Sequence, residues 1–410
     1  MDELSRQVGA NLRRLRRVQG LSLDVVAGRS SLSKSFLSRV ERGERHLERR
    51  SHLSAVAEAL SCSIADLVGQ PLPPVGAEQQ QTLASVPTLR HVLQGLAFGY
   101  VDDAGGLVSM DSIERRAGQL WNARRCCDYR LIVRLLPGLL TDLHVQTSRG
   151  GSVQRALELM VEVSSAAAFW LRGAGFSDLA WTAAQQCYVA AEQLGDPTAI
   201  GFADFTRAQV STLGPGYGGA LRLAENAVDA LRSHLDSDPE PYRVYGTLLL
   251  TMAWAAEVLH AEGERDTAVA EACAIATRVG DPAPTGDKWQ TYFGPANAGI
   301  WLMSLAVESG KGGKTVEIAQ SVDLSVIDSA SRRAAYWTEL GCGLAQERGK
   351  EAEAVSALLR AEQTARQRTH NNPRVRSVVT TLLDRTHRRA LSTNLRRIAS
   401  RIGATSSTAY

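Results

Sequence analysis

The sequence predicts an all-α protein, a short five-helix domain followed by a long stack of helical hairpins. Three observations lead there. Apolar residues recur at helical spacing over most of the chain, with no sustained period-2 alternation of β-branched residues. Alanine-rich segments end in the same punctuation more than once. A stretch rich in proline and glutamine separates a basic N-terminal segment from everything after it.

Residues 1–68 read as five short helices. The first carries Leu4, Val8, Leu12 and Leu15 on one stripe, with Arg13, Arg14, Arg16 and Arg17 largely off it. Gly20 ends it, and Ser22 caps a second helix from Leu23 to about Arg29. Ser33 caps a third, Lys34 to Glu41, which Gly43 stops. A fourth has Leu53, Val56, Ala57 and Leu60 at i, i+3, i+4 and i+7. Ser63-Ile-Ala-Asp66 opens a fifth with a capping-box pattern.

Residues 69–87 read as a linker, with Pro71, Pro73 and Pro74 before Glu78-Gln-Gln-Gln81. Residues 88–403 read as a helical-repeat domain of five or six antiparallel pairs, and residues 404–410 as a tail. Gly195-Asp196-Pro197 and Gly280-Asp281-Pro282 each close an alanine-rich helix. Gly suits a left-handed C-cap, Asp caps the following helix and Pro fits its first turn. A third variant runs from Ala354 to Asn371-Asn372-Pro373. The two Gly-Asp-Pro marks lie 85 residues apart, about two and a half periods of a 34-residue repeat. The expected architecture is an α-solenoid.

Composition narrows the function classes. The chain has 410 residues, 44% of them apolar, enough for a large core and, at roughly 100–200 residues per domain, for two or three domains. Residues 1–70 hold 12 Lys/Arg against 8 Asp/Glu, and the remainder 34 against 35. The positive excess thus sits in the N-terminal segment, where a nucleic-acid footprint is sought. No run of about eighteen apolar residues and no signal-peptide core is present, so no membrane association and a cytoplasmic location are expected. Cys62, Cys126, Cys127, Cys187, Cys273 and Cys342 form no CxxC pair and no Cys/His cluster, so they read as buried small thiols.

The segment Leu21-Ser-Leu-Asp-Val-Val-Ala-Gly-Arg-Ser-Ser-Leu-Ser-Lys-Ser-Phe-Leu-Ser-Arg-Val-Glu-Arg-Gly43 carries the most specific signal. Ala27 is small where two helices must touch. Val26, Leu32, Phe36, Leu37 and Val40 supply an inner face, which leaves Ser33, Lys34, Ser35, Ser38 and Arg39 outward. Short polar and basic side chains on an exposed helix suit the major groove. Arg42 and Arg45 lie just past the helix, placed to grip phosphate. Double-stranded DNA is the expected partner.

This segment resembles the phage-repressor-like helix-turn-helix class known as the XRE family. The resemblance implies that Ser33, Lys34, Ser35 and Arg39 are base-facing. Many relatives have Gly at the turn, where this chain has Ser31, and a non-Gly residue there is strained if the turn is left-handed. The rest of the chain is similar to actinobacterial regulators that join such a domain to a tetratricopeptide sensor. Trp121-x-x-Arg124, Tyr129, Leu135-Leu-Pro137, Phe293-Gly-Pro-Ala-Asn297 and Leu395-Arg-Arg-Ile398-Ala-x-Arg401-Ile-Gly403 carry that likeness. A more distant parallel is with peptide-sensing quorum regulators.

Other patterns imply little chemistry. Gly310-Lys-Gly-Gly-Lys-Thr315 lacks the first glycine of a phosphate loop, since Glu308 stands there, and it follows a helix. Gly214-Pro-Gly216-Tyr-Gly218-Gly219 reads as a hairpin turn. The eight histidines are dispersed, so no metal site, no cofactor, no catalytic constellation and no enzyme are expected. Between Arg366 and Arg401 stand ten arginines and one acid, Asp384, read as the outer face of capping helices or a second DNA surface.

Trp254, Trp289, Tyr292, Phe293, Trp301 and Trp337 fall on or beside first helices of predicted hairpins. They read either as core between hairpins or as a groove for a peptide or small-molecule effector, with Trp254, Trp289, Phe293, Asn297 and Trp301 as its candidates and Asn297 fixing the ligand's register. The function expected is a ligand-responsive transcription factor, acting as a homodimer on an operator of two half-sites. The alternative is a tetratricopeptide protein-interaction scaffold whose N-terminal domain binds no DNA.

Overall fold

The computed structural model describes residues 3–47, 49–71, 77–100, 106–149, 151–212, 216–235, 238–283, 286–386 and 393–404. All secondary structure among the described residues is helical. The N-terminal domain comprises α1 (Glu3–Val18), α2 (Leu23–Ser30), α3 (Lys34–Glu41), α4 (Arg50–Ala59) and α5 (Ile64–Val68). Val8, Leu12, Val26, Leu37, Val40, Val56 and Leu60 are buried at its centre. The caps follow the side chains. Ser22 Oγ accepts from Val25 N at 3.2 Å and Ser33 Oγ from Phe36 N at 3.1 Å. Ser63 and Asp66 form the reciprocal capping box.

Two helices, α6 (Ala77–Leu83) and α7 (Val86–Ala97), precede six hairpins. These are α8 (Met110–Cys126) with α9 (Tyr129–Arg149), α10 (Val153–Ala174) with α11 (Ser177–Leu194), and α12 (Pro197–Ser211) with α13 (Tyr217–Arg232). Then come α14 (Pro239–Val258) with α15 (Glu262–Val279), α16 (Pro295–Glu308) with α17 (Gly312–Ser321), and α18 (Ala330–Gln346) with α19 (Glu351–Thr364). The first helix of each hairpin packs on the first helix of the next, and α18 also meets α8. The stack therefore closes into a ring. Arg125 on α8 pairs with Asp328 ahead of α18 across the seam, and Lys288 Nζ lies 3.3 Å from Glu158 on α10.

Small residues permit this packing. Ala180, Ala183, Ala184, Cys187 and Ala191 bury one face of α11. A Cβ on Gly246 of α14 would lie 2.0 Å from Phe293 Cζ, so the ring fills the space a side chain would need. The Gly310–Thr315 segment behaves likewise. A Cβ on Gly312 would lie 2.4 Å from Gly343 O, and one on Gly343 would lie 2.7 Å from Thr315 Cβ. Its glycines seat α17 on α18.

The first Gly-Asp-Pro mark works as read. Gly195 has φ 71°, and Asp196 accepts from Thr198 N at 2.9 Å, ahead of Pro197. The second does not. Gly280 is extended in ψ at 176°, and no helix begins at Pro282. Asp281 instead caps α16 from a distance, accepting from Ala296 N at 3.0 Å. Residues 287–294 form a largely buried non-helical segment organised by Asp287, which accepts from Thr291 N at 3.0 Å and from Tyr292 N.

The chain ends in α20 (Arg366–His370), α21 (Pro373–Thr386) and α22 (Thr393–Ile402). Glu362 of α19 receives Arg401 Nε at 2.7 Å and lies 2.7 Å from His370 Nε2, which fastens α22 and α20 to the last hairpin. The segment expected to be a free linker is partly ordered. Gln70 and Pro71 press on Gly175, where a Cβ would lie 3.0 Å from Gln70 Cβ, and α6 packs on α9. The glutamine run looked solvated, but Thr82 is buried and Gln79 donates to Asn371 of the C-terminal segment. Of the expected turn at Gly214, residues 214 and 215 lie outside the described residues, as does all of the expected tail beyond residue 404.

Glycine inside a helix ordinarily costs about 0.5–1 kcal/mol relative to alanine. At Gly246 the overlap with Phe293 outweighs that term. Gly246→Ala is expected to destabilise the ring by about 2–3 kcal/mol, read as a lower denaturation midpoint at unchanged m-value.

Candidate nucleic-acid interface

The turn between α2 and α3 sets the angle of the outward helix. Ser31 caps α2 in the left-handed region, φ 55° and ψ 24°, so the strain anticipated for a non-Gly residue is present. A bidentate ion pair then ties α3 to α1. Arg16 Nε lies 2.6 Å from Glu41 Oε1 and Nη2 3.0 Å from Oε2, while Nη1 donates to Leu21 O at 2.9 Å. The pair is nearly enclosed, with side chains 14% and 7% exposed. Hydrogen bonding to Glu41 holds the Arg16 guanidinium above its usual pKa. Beside it, a Cβ on Gly9 would lie 2.1 Å from Val40 O, so α1 and α3 touch at backbone distance.

On this frame Ser33, Lys34, Ser35, Arg42 and Arg45 are exposed, and Ser38 and Arg39 partly so. The helical ring leaves them uncovered. Among the described residues their cations are engaged only at the surface. Lys34 Nζ lies 2.8 Å from Asp24 Oδ2, with both side chains more than half exposed. Arg42 Nε lies 2.8 Å from Glu44 Oε1. Arg39 folds back along its helix, Nε donating to Ser35 O at 3.4 Å. Exposed pairs of this kind are worth about 0–1 kcal/mol, so a phosphate or base edge can take these groups over.

Ser33 is both exposed and the N-cap that the sequence reading gave it, its oxygen already accepting from Phe36 N. The sequence reading missed the Arg16–Glu41 pair and Gly9. Arg16 was read as one of four arginines off the apolar stripe, and nothing in its spacing distinguishes it from Arg13, Arg14 or Arg17.

The domain meets the ring through the start of α4. Arg50 N donates to Glu308 Oε1 at 2.9 Å, and its guanidinium lies 4.6 Å from the centroid of Trp254. His52 stands behind Phe36 of α3, ring centroids 5.6 Å apart. Burial, then Arg49 and His260, push the His52 imidazole down.

Of the two readings the sequence left open for the groove candidates, the structure places most of them in the core. Trp254, Trp289, Phe293 and Asn297 are buried. Trp289 stacks on Phe202, centroids 5.1 Å apart, and Trp254 meets Tyr217 at 5.0 Å. Asn297 spends its amide within the protein, donating to Thr291 O at 3.1 Å and accepting from Arg332 Nε at 2.7 Å. They fill the space between hairpins and form no open groove in this conformation. Trp301 alone of the five remains partly exposed, with Arg332 5.9 Å from its ring centroid. No cluster suited to a metal ion occurs among the described residues, and no described helix is long and apolar enough to cross a membrane.

Residues 7–68 match a family described as a helix-turn-helix domain. No curated protein matches the sequence. Among solved structures, the chain is similar to PlcR of Bacillus thuringiensis, in a complex with the peptide PapR7 and DNA. The identity is 14%, over 66% of this chain and 94% of that one, at a TM-score of 0.29. It is also similar to the apo form of the competence regulator ComR of Streptococcus vestibularis. There the identity is 13%, over 89% and 93% of the two chains, at a TM-score of 0.34.

Two substitutions in the helix-turn-helix domain should move stability in opposite directions. Ser31→Gly relieves the left-handed strain and is expected to stabilise by about 1 kcal/mol. Arg16→Ala leaves Glu41 enclosed without its counter-charge and is expected to cost about 3 kcal/mol. Urea denaturation of both variants, followed by circular dichroism, checks the pair.

Proposed function

We propose that this chain is a sequence-specific DNA-binding transcription regulator of the phage-repressor-like type. The single observation that carries the reading is the outward helix α3. Its frame is locked by the Arg16–Glu41 pair and by Gly9, while among the described residues Lys34, Arg39, Arg42 and Arg45 are held by nothing stronger than surface contacts. Exposed cations on a rigid helix suit a partner whose negative charges stand at fixed spacing, as on duplex DNA. A helix that reads guanine edges and phosphates needs such an array.

The helical ring is the sensor in this reading, and the chain works without catalysis or a cofactor. An effector is coupled to α3 through α4, since Arg50 touches Trp254 and Glu308 of the ring while His52 backs Phe36. The active species is a homodimer. One helix of eight residues reads only a few base pairs, and two copies set roughly 34–36 Å apart combine two half-sites.

Selection of duplexes from random sequence tests the central claim, and enrichment of no motif would sink it. Against a selected duplex, Arg39→Ala is expected to lose about 1–3 kcal/mol of discrimination. Arg42→Ala should weaken selected and scrambled duplexes alike, with a shallower salt dependence. Asp24→Asn frees Lys34 and should tighten both. Light scattering of the DNA complex gives the stoichiometry, expected at two chains per operator.

A further inference from the structure

A small cavity lies at the seam of the ring, where α8, the chain between α15 and α16, and the approach to α18 meet. Its walls include Trp121 and Arg125 of α8, Asp281, Asp287 and Gln290 of the chain before α16, and Asp328. Arg125 and Asp328 pair with each other in this wall, their side chains 36% and 38% exposed. A pair so open to water is weak, and an incoming charged group can replace either partner. Gln290 is only 7% exposed, yet its carboxamide is nearly idle. Its Nε2 lies 3.5 Å from the Trp121 carbonyl, the limit of a hydrogen bond. Its Oε1 is buried with no partner among the described residues. Buried acceptors are almost always satisfied, so an exception at a cavity wall calls for an occupant.

Backbone strain sits at the same place. Gln290 and Tyr292, which also lines the cavity, hold φ at 52° and 55°. Side chains other than glycine adopt that region at a cost, and such residues cluster at ligand sites. The chemistry of the walls is dominated by acceptors. Three carboxylates and the Gln290 carbonyl line the cavity against one guanidinium. Trp121 Nε1 donates to Glu162 Oε2 at 2.8 Å, so that side chain offers no donor. Burial pushes the Asp287 carboxyl up, and a cation brought near it favours its charged form. A compact group with a positive charge and several N–H donors matches these walls. An anion meets acids and an idle acceptor instead.

We infer that the seam cavity binds the protonated primary amine of a small molecule, its N–H groups donating to Gln290 Oε1 and to the carboxylates of Asp281 and Asp328. The inference rests on the reading of the ring as the sensor, and it gives the chemical class of the effector. The cavity takes the ammonium head, and the rest of the molecule stays toward solvent. Where that rest carries a carboxylate, Arg125 released from Asp328 receives it. The site is joined to the helix-turn-helix domain through α16. Asp281 Oδ1 caps the start of α16, accepting from Ala296 N at 3.0 Å. Glu308, the last residue of α16, accepts from Arg50 N of α4 at 2.9 Å. A donor bound at Asp281 therefore bears on the helix on which α4 is seated.

The test is thermal denaturation of the full chain with putrescine and with glycine. Each is compared with its fully N-methylated counterpart, which keeps the charge and lacks the N–H donors, at matched ionic strength. The melting temperature is expected to rise by about 2–4 °C at saturation with a primary ammonium and not with the methylated compound. A rise with putrescine alone identifies an amine cation, a rise with glycine alone an amino acid, and a rise with both the shared ammonium. Gln290→Met keeps the length of the side chain without its acceptor. It should lose the rise, and should melt no lower than the parent, because the buried oxygen had no partner to lose. Asp328→Asn keeps the shape without the charge, and should bind at least several-fold more weakly. No rise with either amine, or an equal rise with its methylated counterpart, overturns the site on the parent protein alone. A full rise in Gln290→Met overturns it as well. Duplex selection on the same preparation separates the two claims. Sequence-selective binding without an amine response removes the site and leaves the regulator.

Discussion

Helices in the ring approach as closely as their side chains allow, and small residues set that distance. Gly246 beneath Phe293, Gly312 against Gly343 and the alanine face of α11 each remove volume at a crossing. Close crossings accumulate over six hairpins until α18 reaches α8 and the seam closes. Closure fixes everything else. It turns the inner surface into an interior, while α4 of the N-terminal domain sits on α14 and α16.

The helical class, the five N-terminal helices and most of their caps were legible because they depend on neighbours in sequence. Ser22, Ser33 and the Ser63–Asp66 box act within three residues, and spacing alone identifies them. Gly195-Asp196-Pro197 was legible for the same reason. Gly280-Asp281-Pro282 carries identical letters and does something else, because Asp281 reaches a helix fifteen residues away. Local punctuation does not show when a long-range partner outcompetes the adjacent one.

The same limit separates the two sites. The outward residues of α3 follow from which positions of a short helix face inward, so Lys34, Ser35 and Arg39 were accessible to pattern. The interior of the ring was not. Trp289 and Phe293 look alike whether they line a groove or pack against Phe202 and Gly246, and only the fold decides. The polar run of α6 was misleading in another way. Glutamine reads as solvated, yet here it bonds across the molecule to Asn371.

The contact between Arg50 and Glu308 spans 258 residues of chain, and it gives the protein a history during its own synthesis. The five-helix domain has its own core and is complete long before α16 leaves the ribosome. At about 5–20 residues per second, tens of seconds pass in which that domain exists with no seat to occupy. A nascent or truncated chain is therefore a different molecule from the finished one. It presents α3 on a unit not yet docked against the ring. Completion of α16 is the event that gives the N-terminal domain its seat on the ring.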